Sequence, residues 1–110
     1  MKGKNFLPSN DNYNISLEEI KRLNFFNFLD NLGAELKKKK SSKYGRLYKY
    51  NNFHLWIRYD YKTGYYFYTS LNVNGDNGTL IDFIQNHIIN ERNLGKVRKY
   101  VLNNLNKFWQ

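Results

Sequence analysis

Apolar and polar residues alternate between residues 44 and 71, whereas on either side apolar residues recur at helical spacing. Tyr44 to Tyr50, Phe53 to Tyr59 and Tyr65 to Leu71 are predicted strands, rich in aromatic and β-branched residues. Asn51-Asn52 makes a two-residue hairpin turn, because Asn tolerates positive φ, and Gly64 supplies the second turn. The three strands form an antiparallel meander. A two-residue first turn sets Tyr50 opposite Phe53, Tyr48 opposite Leu55 and Arg46 opposite Ile57. Side chains alternate along a strand, so Tyr48, Tyr50, Phe53, Leu55, Ile57 and Tyr59 share one face, assigned to the core. Leu47, Lys49, His54, Trp56 and Arg58 share the other.

Before the sheet, Ser16 followed by Glu19 is a capping-box pattern, and Leu17, Ile20 and Leu23 fit a short helix. Asn24 interrupts or re-caps it. Phe25, Phe26, Phe28, Leu29 and Leu32 form a second helix, which Gly33 stops. Residues 1–15 are polar and without period and are expected to form a flexible arm, leaving 16–110 as a single domain; Lys2 and Lys4 in the arm are possible weak phosphate contacts. After the sheet, Asn93 caps a last helix lined by Leu94, Val97, Val101 and Leu105. Phe108 and Trp109 then either pack back or mark an attachment point.

Sheet gives way to helix at Gly75-Asp76-Asn77-Gly78-Thr79-Leu80-Ile81-Asp82. Gly75 and Gly78 permit backbone conformations that a Cβ obstructs. Thr79 and Asp82 are spaced as a capping box ahead of Leu80, Ile81, Phe83, Ile84, His87 and Ile88. Gly75, Gly78 and Asp82 are therefore expected to be structural. A phosphate on the helix start is disfavoured, because Asp76 and Asp82 would repel it.

Composition turns this α+β domain toward a polyanion. The chain has 18 Lys and Arg against 9 Asp and Glu, a net charge of +9; such a surplus points to nucleic acid. Abundant Asn, Lys, Ile, Tyr and Phe also fit an AT-rich coding sequence, which by itself inflates lysine. Cysteine is absent, which excludes disulfides and thiolate zinc, and two isolated histidines do not make a metal site. No cofactor is expected. No membrane span or signal-peptide core is visible, so a cytoplasmic protein is expected.

The candidate binding residues are Lys37, Lys38, Lys39, Lys40 and Lys43, just before the first predicted strand, with Lys49, His54, Trp56 and Arg58 on the sheet's second face. Bases stack on rings and cations hold phosphates, the combination used for single strands. The plain alternative is a solvated lysine run and a Trp56 buried under a helix.

Gly75 to Gln85, followed by Asn93-Leu94-Gly95-Lys96-Val97-Arg98-Lys99, resembles the N-terminal zinc-finger-type domain of DnaG-like primases. It is more similar still to the version in toprim-containing proteins of plasmids and other mobile elements. Ile81-Asp82-Phe83 stands for that family's helix core, Gly75 and Gly78 for its loop glycines, and the likeness spans roughly residues 25–107. Leu71 and Asn74 occupy the positions of the second Cys-x-x-Cys pair, so the resemblance implies a zinc-ribbon-like domain held together without metal. It implies a role in replication or mobilisation, binding the single-stranded template, without polymerase chemistry.

The chain is thus expected to be a DNA-binding module, not an enzyme. The competing expectation is a module docking on a primase, helicase or relaxase. A ribonuclease using His54 or His87 as general base lacks any supporting Ser-His-Asp, Cys-His or paired-carboxylate set.

Overall fold

The computed structural model describes residues 14–109; the expected arm, with Lys2 and Lys4, lies almost wholly outside them. Ile15, read as part of that arm, belongs to the domain: it is buried, and its carbonyl accepts a hydrogen bond from Arg98 Nε at 3.1 Å.

Caps set the first two helices. Ser16 Oγ accepts from Glu19 N at 3.0 Å while Glu19 Oε1 accepts from Ser16 N at 2.9 Å, opening α1 (Leu17–Lys21). Asn24 Oδ1 accepts from Asn27 N at 3.0 Å and opens α2 (Phe25–Asn31), which buries Phe25, Phe26, Phe28 and Leu29. Gly33, at φ 85°, turns the chain out of α2 into a strand.

The sheet has five antiparallel strands in chain order: β1 (Glu35–Leu36), β2 (Gly45–Tyr50), β3 (Phe53–Asp60), β4 (Tyr65–Ser70) and β5 (Asn77–Thr79). This corrects the three-stranded meander, whose strands are the middle three. The two additions are only two and three residues long, too short for alternation to register. Tyr44 and Leu71, expected at strand ends, fall just outside. The β2–β3 register is the one a two-residue turn requires, with Tyr50 on Phe53, Tyr48 on Leu55 and Arg46 on Ile57. Asn51 takes φ 54° in that turn, and Gly64 takes φ 79° in the next.

Among the described residues, the α-helices pack on one face of the sheet. Tyr48, Leu55, Ile57, Tyr66 and Tyr68 meet Phe25, Phe28, Phe83, Val97 and Val101 in one core. Phe83, in α3 (Leu80–Phe83), is its centre, with Phe25 and Tyr68 rings at 5.1 and 5.4 Å. In α4 (Leu94–Asn103) the buried residues are Val97, Val101 and Leu102. Leu94, expected on that face, is exposed because it sits in the first turn beyond the core's edge. Phe108 packs back, stacked on Phe28 at 4.6 Å, and Trp109 remains exposed.

Candidate nucleic-acid interface

The sheet face away from the helices is built by strand parity. Across β2, β3 and β4, Lys49 pairs His54, Leu47 pairs Trp56, and Trp56 pairs Thr69; Gly45 pairs Arg58, which pairs Phe67. Leu71 N bonds the His54 carbonyl at 2.8 Å, continuing the first of these rows with a largely exposed apolar side chain. The face thus carries rings, apolar side chains and cations in a continuous strip.

Trp56 is half-buried, and Gly45 accounts for its position. A Cβ at residue 45 would come within 2.2 Å of the Trp56 ring, so the missing side chain lets the indole lie across the neighbouring strand. Arg58 rests 4.8 Å from the centroid of the Phe67 ring. At the same end, Tyr44 and Tyr61 are exposed with centroids 6.1 Å apart, and Lys43 stands 5.3 Å from the Tyr44 centroid. Phe67 was not among the expected residues, though parity in β4 signals it; Tyr44 lies opposite Tyr59 and so, by parity, on the helix side of the sheet.

The lysine run does not lead from a helix into the first strand, as expected, but links β1 to β2. Lys38–Lys40 form one 3₁₀ turn, and Ser41 stitches it to the sheet. The Ser41 hydroxyl donates to the Lys37 carbonyl at 2.9 Å and accepts from Leu47 N at 3.1 Å. The turn forms one wall of a groove of about 540 Å³ lined by Leu36, Lys37 to Lys40, Leu47 and His54. Leu47 is buried there, outside the main core cluster. The structure therefore brings the lysine run and His54 to one groove, beside Lys49 and Trp56.

Not every cation is free. Lys37 Nζ is 2.9 Å from Glu35 Oε2. That ammonium, with Lys49 and His54 nearby, holds the Glu35 carboxyl below its ordinary range. Among the described residues, Lys38, Lys39 and Lys40 have no carboxylate partner, while Lys49 stands opposite Glu35 in the β1–β2 ladder.

The glycine loop is a structural corner. Asp82 Oδ2 accepts from Thr79 N at 2.8 Å and Thr79 Oγ1 from Ile81 N at 3.3 Å, so the helix start is already capped. Gly75 and Gly78 take φ 84° and 142°.

The second histidine lies elsewhere, in a cluster that sequence reasoning missed. Past α3 the helix widens into a π turn over Ile84–Ile88, with Ile89 N bonding the Ile84 carbonyl at 2.9 Å. This aims His87 Nε2 at Asp76 Oδ2, 2.6 Å away. A carboxylate only accepts, so Nε2 carries the hydrogen. Tyr68 OH donates to Asp76 Oδ1, and Asn86 Nδ2 donates to Tyr68 OH at 2.9 Å. The His87 and Asp76 side chains are only 6% and 11% exposed. His87 stacks on Phe83 at 5.0 Å and meets the Phe53 edge at 4.7 Å. Burial pushes the Asp76 pKa up, but hydrogen bonds from Tyr68 and His87 outweigh it and leave the pKa lowered. Asp76 is thus a hydrogen-bonded anchor, not the exposed anion that the sequence implied. Among the described residues, no group of three or more His, Cys, Asp or Glu has the arrangement of a metal site, and no helix is long and apolar enough to cross a membrane.

The arrangement defines an α+β domain with a helix-covered core face and an open aromatic-cationic face. No family model, curated protein or solved structure matches the chain.

Proposed function

We propose that this chain is a single-stranded nucleic-acid-binding module, with DNA as its ligand and the open sheet face as its contact surface. The observation that carries this is the strip, left open by the described helices, that runs from Phe67 and Arg58 through Trp56 to His54 and the lysines of the 3₁₀ turn. Rings offer stacking platforms to bases of any sequence, and the ammonium groups follow the backbone. The resemblance to primase N-terminal domains adds a setting, replication or mobilisation of a plasmid or related element. The role is binding without catalysis: His87 is held by Asp76 beside a separate pocket, away from the open face.

The test is Trp56→Ala. Stacking on an aromatic is worth about 1–3 kcal/mol per base, so the variant is expected to bind a labelled single strand roughly tenfold or more weakly. The salt dependence of its affinity is expected to stay close to wild type, because no charge is removed. A folded variant that binds like wild type would remove Trp56 from the interface. Exposed Leu71 and Trp109 favour a second reading, docking on a primase, helicase or relaxase. That reading takes over if the wild type binds no nucleic acid.

A further inference from the structure

We propose that the groove under the lysine turn is an end pocket, taking the phosphorylated terminus of the bound strand; this rests on the nucleic-acid reading above. Position is the first reason. The sheet's outer edge on this side is β1, and the turn of Lys38–Lys40 stands beside it as a wall. A strand lying across β4, β3 and β2 meets that wall after Trp56 and Leu47. These two are a direct cross-strand pair, with Cβ atoms about 5 Å apart. A base on Trp56 therefore has its neighbour over Leu47, inside the groove.

Chemistry is the second reason. Leu36 and Leu47 give the groove an apolar part and His54 a flat ring, which together suit one base. The rim is strongly cationic. Lys38, Lys39 and Lys40 have no carboxylate partner among the described residues; Glu35 pairs with Lys37 and stands opposite Lys49 in the β1–β2 ladder. A bridging phosphodiester brings one negative charge. A terminal phosphomonoester brings about −1.5 to −2 at pH 7, with three acceptor oxygens. Three successive lysines lining one groove match the monoester's larger charge better. Elsewhere on the strip cations stand singly, as Arg58 does over Phe67.

The experiment compares one labelled oligonucleotide in four forms at fixed salt: phosphorylated at the 5′ end, phosphorylated at the 3′ end, hydroxyl at both ends, and hydroxyl-ended but two nucleotides longer. The last form controls for total charge. One of the phosphorylated forms is expected to bind about tenfold tighter than both hydroxyl-ended ones, and which one gives the strand's polarity. In Lys38→Gln/Lys39→Gln/Lys40→Gln, whose changes are all on exposed side chains, that ratio is expected to fall to about one even though every form binds more weakly. Equal affinity of all four forms for wild type overturns the end pocket and leaves the open-face reading standing. A preference that survives in the triple variant places the terminal phosphate elsewhere and also overturns it. Absence of binding to any form overturns both.

Discussion

Asp76→Ala is expected to cost about 3–5 kcal/mol of folding stability, because each buried donor left without an acceptor costs about 1–3 kcal/mol. His87 Nε2 and the Tyr68 hydroxyl would lose their acceptor at once, and the Asn86 amide would keep only its bond to Tyr68. The Tyr68 ring belongs to the sheet's core face and His87 to the π turn, so Asp76 ties the loop after β4 to both. For a domain of this size the melting midpoint should fall by roughly 12 °C or more. Asp76→Asn keeps one acceptor oxygen and should lose less. The same network has a pH signature. The Asp76 pKa is lowered in the folded state, so its contribution is complete above the ordinary carboxyl value and is lost as pH falls through the lowered one. Acid unfolding of Asp76→Asn should lack that share of the pH dependence. The exposed Glu18, Glu19, Glu35 and Asp60, lowered too, should keep theirs. Urea titrations at neutral and acid pH measure both effects, and a loss below about 1 kcal/mol would show that water replaces the carboxylate.

Gly78→Val is expected to cost about 2–5 kcal/mol, combining backbone strain with loss of the helix cap. At φ 142° no β-branched residue is at ease, and a Cβ there would lie 2.2 Å from Asp82 Oδ2. Moving that carboxylate breaks its bond from Thr79 N and uncaps α3. Gly75 separates the two causes. It has φ 84° but no atom within 4 Å of the Cβ position, so Gly75→Ala should carry only the backbone cost of about 1–2 kcal/mol. Thermal melts of the two variants should therefore rank Gly78→Val well below Gly75→Ala. Equal curves would mean that the Asp82 contact is relieved without loss.

Local signals explain why much of the fold could be read from the chain. Ser16, Asn24, Thr79 and Asn93 each cap a helix with their own side-chain oxygen, an interaction within three residues. Asn51-Asn52 fixed the β2–β3 register, and with it the grouping of Lys49, His54, Trp56 and Arg58 on one face. What escaped depends on distant pairing. β1 and β5 are strands only because β2 and β4 offer them an edge. The meeting of Asp76 with His87, eleven residues on, needs a π turn that no periodicity announces. The lysine run was visible, but its groove depends on Ser41 bridging Lys37 and Leu47, a contact made only after β1 pairs.

Fluorescence anisotropy of the wild-type domain with a labelled, hydroxyl-ended single-stranded DNA, titrated at several salt concentrations, tests the central claim most directly. Counterion release predicts that the logarithm of affinity falls linearly with the logarithm of salt. The slope should be about −3 if four phosphates are engaged. Absence of affinity for single-stranded DNA even at low salt, or an affinity indifferent to salt, would contradict the account.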